Sequence, residues 1–416
     1  MMIPKLIRIK QKFECDEIKD IEKSISQQFI QTPVVFRPGE RIAIGVGSRG
    51  IANIARIVKA VVQELKLLGV VPFIVPAMGS HGGATPEGQL QVLESYGISE
   101  EYLGAPIRSS MHVIELVNND LVNRVYMDKH AYEADGIVVI NRVKPHTDFH
   151  GLTESGLMKM CVIGLGKHKQ ALEIHKYGVY GLRELIRPTA RLVLKTGKVR
   201  MGIGIVENAY DKTCIIKGVT PENMEEAEIE LLNASRKNMP SLPVNQLDVL
   251  VVDEIGKSIS GTGLDTNIIG RIRISGEAEP EFPNIAAIVA ADLNDESHGN
   301  ALGVGLVDFI TRRLFEKINL KDTYENVITS TFIERGKLPI VAESDREAIQ
   351  YALRISSRGK GEESIRFARI KNTLHLSELY VSESIYEEMK GNASIQAIGD
   401  FEDLLDEKGA LVPFGG

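Results

Sequence analysis

Hydrophobic positions along this chain follow two periods. Short apolar runs read as strands, and stretches with an apolar residue every three or four positions read as amphipathic helices. The run over 41–47 (Arg-Ile-Ala-Ile-Gly-Val-Gly) is of the first kind. The second follows at once, with Ile51, Ile54, Ile57, Val58, Val61, Val62 and Leu65 on one helical face. Between them Ser48 is a candidate N-cap, and Arg49 sits at the turn. The unit repeats as a strand over 70–78, a glycine-rich loop over 79–85 and a helix over 86–96 with proline in its first turn. Shorter strands are expected over 113–117 and 122–127. The unbroken apolar run over 136–143 has the character of a strand buried on both faces. Helices are expected over 154–163, 178–196 and 222–236, and strands over 199–207 and 213–218. A strand over 6–13 and a helix over 16–27 precede all of this.

A proline-punctuated connector over 237–245 marks a boundary, which divides the chain into domains of 1–240 and 241–416. Beyond it the pattern restarts. Strands are expected over 247–253 and 285–291, with a glycine-rich loop over 256–267 between them. A helix follows Asp295 and runs to Phe315. Short strands are expected over 326–330 and at Ile340, a helix over 345–355, and closing strands over 366–372 and 378–381. Strands alternating with helices in both halves predict an α/β fold of two domains with mainly parallel sheets.

Composition narrows the function. The chain has 416 residues, 43% of them hydrophobic and 25% charged, which is the balance of a soluble globular protein. Its net charge of -7 argues against binding nucleic acid through phosphate contacts. Cys15, Cys161 and Cys214 lie far apart with no CxxC, so no disulfide framework is expected and a reducing interior is the default. No leader-like apolar segment and no membrane-length run is visible, so a cytoplasmic address is expected.

Candidate chemistry concentrates over 138–175, which holds His146, His150, His168 and His175, four of the nine histidines. Imidazole titrates near neutrality and binds metals in its neutral form. In parallel α/β sheets ligands bind beyond the carboxyl ends of the strands. Three loops belong there: 47–50 with Arg49, 79–85 with His81, and 144–151 with His146 and His150. Each combines glycine with a basic or imidazole side chain, a combination suited to an anion.

In chain order stand Ser48-Arg49, Gly79-Ser80-His81, Pro145-His146, Ser155-Gly-Leu-Met-Lys159 and, sixteen positions on, His175. This ordered set resembles the nickel-dependent lactate racemase family, racemases and epimerases of 2-hydroxy acids. The likeness is specific over the first half and general over the second. It implies an active site in the cleft between two α/β domains. It also implies a nickel-pincer nucleotide, a thiolated pyridinium mononucleotide carrying nickel, attached covalently at Lys159. His175 would ligate the metal, and nickel with sulfur and imidazole donors favours a square-planar set. Ser48, Arg49 and Gly50 would lie against the cofactor, with Arg49 also holding the substrate carboxylate. His81 and His146 would remove and return the hydroxyl proton on opposite faces while hydride leaves C2 and comes back. Asn267 and Arg271 would be the polar pair of the second domain. The implied partners are a small 2-hydroxy acid and the proteins that make the cofactor. No nucleic acid or membrane is implied, and a homo-oligomer is an open option.

The chain departs from the family in two places. Val46 stands where an Asp often precedes the Thr-Arg turn, and the segment from His146 to Lys159 is longer. The second departure leaves open whether His146 or His150 is the second base. Two other readings remain at this level. His146, Asp148 and His150 could form a metal site of a lyase or hydrolase. Alternatively, the chain could be a non-catalytic homologue that binds a small carboxylate or a nucleotide.

Overall fold

A computed structural model describes residues 3–14, 16–47, 50–118 and 120–415. The chain separates into two compact units, Glu14–Met239 and Met1–Phe13 with Pro240–Gly416. Its strands in chain order are β1 (Leu6–Gln11), β2 (Arg41–Val46), β3 (Val71–Pro76), β4 (Val113–Leu116), β5 (Val125–Asp128), β6 (Gly136–Arg142), β7 (Val199–Glu207) and β8 (Thr213–Val219). They continue with β9 (Gln246–Ile255), β10 (Asn284–Leu293), β11 (Phe309–Thr311), β12 (Ile340–Ala342), β13 (Phe367–Ile370), β14 (Glu378–Ser382) and β15 (Ile395–Glu402).

In the first unit a five-stranded sheet runs in the order β3-β2-β6-β7-β8. The first four strands are parallel and β8 closes the edge antiparallel to β7. Parallel neighbours require crossovers, and the helix Ile54–Leu67 supplies one between β2 and β3. Its buried residues Ile54, Ile57, Val58, Val61, Val62 and Leu65 are those placed on one face by their spacing. They pack on Ile42, Ile44, Val46, Val138, Ile140, Ile203 and Ile205 of the sheet. Each such side chain contributes roughly 2 kcal/mol on burial, so the face holds the helix far more firmly than propensity does. The helix stops at Gly69, whose φ of +76 suits glycine, with the Val70 amide donating to Leu65 O at 3.0 Å. Val61→Asp would break this packing by burying a charge with no partner.

The second unit holds an eight-stranded mixed sheet, ordered β12-β11-β10-β9-β13-β14-β1-β15. From β12 to β13 the strands are parallel, and β14, β1 and β15 run antiparallel to their neighbours. Its core includes Val249, Val251, Ala287, Val289, Phe309, Ile349, Leu353 and Phe367. An α/β class with mainly parallel sheets is therefore what the chain adopts.

Four expectations need correction. The domain expected over 1–240 loses its first strand, because β1 pairs with β14 and β15 of the other unit. Such pairing is set by partners hundreds of positions away. The segment 326–330, read as a strand, is the end of the helix Leu320–Ser330, whose N-cap Asn319 accepts from the Asp322 amide. A short apolar run has no period of its own, and the cap decides. In place of one helix from Asp295 to Phe315 there are two 3-10 turns, the strand β11 and a short helix Arg312–Lys317. The helix expected over 178–196 contains a π-helical turn, Gly181–Leu185, just before Pro188. Proline lacks an amide and crowds the carbonyl four residues back, and the wider turn accommodates it. Among the described residues no helix is long and apolar enough to cross a membrane.

Candidate functional site

The exits of β2, β3 and β6 meet the segment that carries Lys159. A Cβ on Gly47, just past β2, would lie 3.1 Å from Met160 Cε and 3.4 Å from Asn141 Oδ1. Asn141, near the end of β6, donates to Gly156 O at 2.8 Å. Gly79, past β3, has φ +60, and a Cβ there would lie 2.9 Å from Ile163 Cγ2. Only glycine suits that position, on both counts. The loops lie where the sheet topology places a ligand site.

Lys159 ends the helical turn Leu157–Lys159, which runs into a π-helical stretch, Met160–Gly164. Sequence spacing places this helix start three residues too early, at 154 rather than Leu157. The start is set instead by Glu228, whose Oε2 accepts from the Met158 amide at 2.7 Å. A Cβ on Gly156 would collide with that carboxyl group, so glycine lets the two approach. Glu228 is fully buried, and burial pushes its pKa up to about 8 against the amides of Met158 and Leu157. Its Oε1 has no hydrogen-bond partner. A neutral carboxylic acid at the head of this turn is the form such surroundings favour.

Lys159 Nζ lies 2.6 Å from His146 Nε2. On the other side of the ring, the Asp148 amide donates to His146 Nδ1 at 3.0 Å. Nδ1 therefore carries a lone pair, and a neutral ring keeps its proton on Nε2. Lys159 Nζ is the group that faces this edge of the ring. Phe149 holds the ring from one side, with centroids 4.6 Å apart.

The loop bearing His146 is closed at its base by paired amides and carbonyls of Lys144 and Ser155, at 2.9 and 3.3 Å. Glu154, buried, organises its interior. It accepts from the His146 amide at 2.6 Å, the Gly151 amide at 3.1 Å and Arg236 at 2.6 Å. His150 Nδ1 lies 3.4 Å from the same carboxylate. Burial opposes ionisation of Glu154, but the bonds from His150 and from the His146 and Gly151 amides outweigh it and hold its pKa below the usual range. His150 is thus turned toward Glu154, and His146 is the imidazole that meets Lys159.

His175 ends the helix Lys167–His175. One edge of it is exposed, yet burial of the rest pushes its pKa below the ordinary value, a charge on Lys159 acts in the same direction, and Asp148 opposes both. These three side chains share one neighbourhood, and His175 is held as the neutral imidazole that ligates metals. His81 is exposed at the start of the turn Gly82–Ala84, on the loop that packs against Ile163 and Ala171. Gly50 is exposed near Tyr96. Ser48 and Arg49 lie outside the described residues. The amine of Lys159 and the imidazole of His175, whose pKa is held below the ordinary value, are the kinds of group that covalent attachment and metal ligation of a nickel-pincer nucleotide would need.

Of the two site residues expected in the second unit, Arg271 is placed differently. Arg271 is buried, with Nη2 on Ile285 O at 2.8 Å, Nη1 on Leu306 O at 3.2 Å and the Asp308 carboxylate at 2.8 Å. A guanidinium so engaged ties the second unit together, and this replaces the substrate contact expected of it. Asn267 lies in the first turn of the helix Thr266–Ile269, its amide donating to the N-cap Asp265 at 2.9 Å. The metal site expected of His146, Asp148 and His150 is also corrected. His146 Nδ1 lies 3.7 Å from Asp148 Oδ2 while His150 turns to Glu154, and among the described residues no three His, Cys, Asp or Glu side chains are placed to hold a metal.

Sequence reading missed Glu154, Glu228, Arg236, Gln89, Asp128 and Lys167. The one available signal was a charged residue next to an apolar run, as at Asp128 and Lys167, and it does not identify the partner.

The fold has known counterparts. A lactate racemase apoprotein from Thermoanaerobacterium thermosaccharolyticum is similar over 89% of this chain and 98% of its own, with a TM-score of 0.53 and 13% identity. A Thermotoga maritima protein is similar over 67% of this chain and 72% of its own, with a TM-score of 0.49 and 12% identity. No protein-family profile matches the chain, and no curated protein does. The chain thus has a lactate racemase-like fold.

Proposed function

We propose that this chain is an isomerase, a racemase or epimerase of a 2-hydroxy acid, working with a nickel-pincer nucleotide held at Lys159 and His175. The observation that carries the reading is the contact of Lys159 with His146, in the neighbourhood of His175 and at the carboxyl ends of the parallel strands. The lactate racemase-like fold supports it. Lys159 supplies the amine for attachment, and His175 an imidazole for the metal. When bound, the nucleotide supplies a hydride acceptor.

The chain's own residues do the rest. His146 and His81 remove and return the proton of the substrate hydroxyl, one for each face, because inversion requires a base on either side of the carbon. His146 is held by Phe149, Asp148 and the Glu154-centred loop. Arg49 binds the substrate carboxylate, and Ser48 and Gly50 border the cofactor. The rival metal-dependent lyase or hydrolase loses its ligand set with the turning of His150 toward Glu154.

The test is expression alongside proteins able to make the pincer nucleotide. Metal analysis and intact mass should show nickel and a mass increase that disappears in Lys159→Ala. A panel of 2-hydroxy acids should then include at least one that the loaded protein racemises. Loaded protein that racemises none of them, yet binds one, would instead make it a carboxylate-binding homologue.

A further inference from the structure

The search for chemistry beyond the site leads to a buried polar chain behind the His81 loop. Lys167, wholly buried, opens the helix that ends at His175, and its ammonium reaches back to strand β3. Nζ donates to Pro76 O, the last residue of β3, and to Gln89 Oε1 at 3.1 Å. Gln89, also wholly buried, uses its other amide atom on the loop. Nε2 donates to Gly79 O at 3.1 Å and His81 O at 3.3 Å. Asp128, at the end of β5, completes the chain 3.3 Å from Lys167 Nζ and accepts from the Ala131 amide.

Two features show that the side chain at 167 is kept for a purpose. Its backbone has φ +56, a region that costs a lysine on the order of 1 kcal/mol and glycine nothing. It also buries a charge beside a carboxylate, which replacement by apolar residues would often make no less stable. What Lys167 and Gln89 supply and apolar residues could not is donors for three carbonyls at the end of β3 and in the loop beyond it, Pro76, Gly79 and His81.

We propose that Lys167 and Gln89 are positioning residues for His81. They fix the His81 loop to the helix that presents His175, and so set where the imidazole can stand. This rests on the reading of His81 as one of the two proton-transfer groups, but its first test does not need activity.

Lys167→Met strands Asp128 and can fail to fold, so the informative variant is Gln89→Glu. A carboxylate there still meets Lys167 but offers no donor to the carbonyls of Gly79 and His81. With 13C-labelled histidine and the His81 resonance assigned by His81→Gln, the ring signal should move toward that of free histidine. Amide exchange over 79–85 should rise about tenfold or more beyond any rise in the core strands β2 and β6, the factor expected for loss of one or two hydrogen bonds. In loaded, active protein kcat should fall at least about tenfold with KM nearly constant, as misplacement of a reacting group does. A His81 ring shift and loop exchange unchanged in Gln89→Glu would overturn the proposal. Full activity of His81→Ala would remove the role given to His81 and leave the loop measurement standing, so the two failures are separable.

Discussion

Lys159 Nζ stands 2.6 Å from His146 Nε2, although thirteen positions of chain separate them. On the far side of the ring the Asp148 amide donates to Nδ1 at 3.0 Å and fixes the ring's orientation. A turn of helix and an irregular loop thus combine into one nucleophile-and-imidazole pair.

If the imidazole assists the amine as a nucleophile, removing it should slow acylation at Lys159. Brief treatment of unloaded protein with acetic anhydride at neutral pH, followed by peptide mass spectrometry, should show Lys159 labelled ahead of exposed lysines. In His146→Ala the labelling rate at Lys159 should drop roughly tenfold, the equivalent of one ordinary hydrogen bond. An unchanged rate would mean that the contact does not govern the amine.

Glu154, itself buried, joins two amides with the exposed side chains of His150 and Arg236. Glu154→Ala should cost about 2 kcal/mol, mainly by leaving the two amides without acceptors. Urea unfolding measures this. Because the carboxyl's pKa is lowered in the folded state, its contribution is present above the unfolded value near 4.3 and is lost as pH falls through the folded value. Glu154→Gln should therefore flatten the acid limb of the stability curve.

Glu228 works in the opposite direction. Its folded pKa of about 8 lies above the unfolded value, so the protonated form stabilises the protein below the unfolded value, and this is lost as pH rises toward 8. Glu228→Gln keeps the acceptor for the Met158 amide and removes the titration. It should remove the loss of stability between about pH 5 and 8, an effect on the order of a few kcal/mol. A parallel pH dependence in wild type and variant would show that the carboxyl is ionised as it stands.

His175 should titrate below 6.5 in NMR of the unloaded protein, since burial and its neighbours disfavour the imidazolium. Its contribution to stability is then present above the unfolded value and is lost as pH falls through the folded one. Replacing it by Gln should abolish that limb and the nickel content of the loaded protein together.

Arg271 carries no such chemistry. Arg271→Met leaves Asp308 without its buried partner and two carbonyls unmet, and should cost roughly 3 kcal/mol in thermal or urea unfolding. In loaded protein its KM for substrate should stay within about twofold of the parent after allowing for the folded fraction, whereas a substrate contact would raise it tenfold or more.

How much of this was legible beforehand depends on the range of the interaction. Helix Ile54–Leu67, strands β2, β6 and β9, and the boundary near Pro240 follow from periods and punctuation within a dozen residues of one another, and local spacing records them. The ordered set His81, His146, Lys159 and His175 was likewise readable as motifs. The sequence could not show that β1 belongs to the far sheet, that Arg271 is spent on carbonyls, or that His150 turns to Glu154. Nor could it show the carboxyl of Glu228 heading the Lys159 turn, or Lys167 reaching β3. Each of these joins residues far apart along the chain, where a buried polar group must find whatever partner the packing brings, and only the packed structure specifies which partner that is.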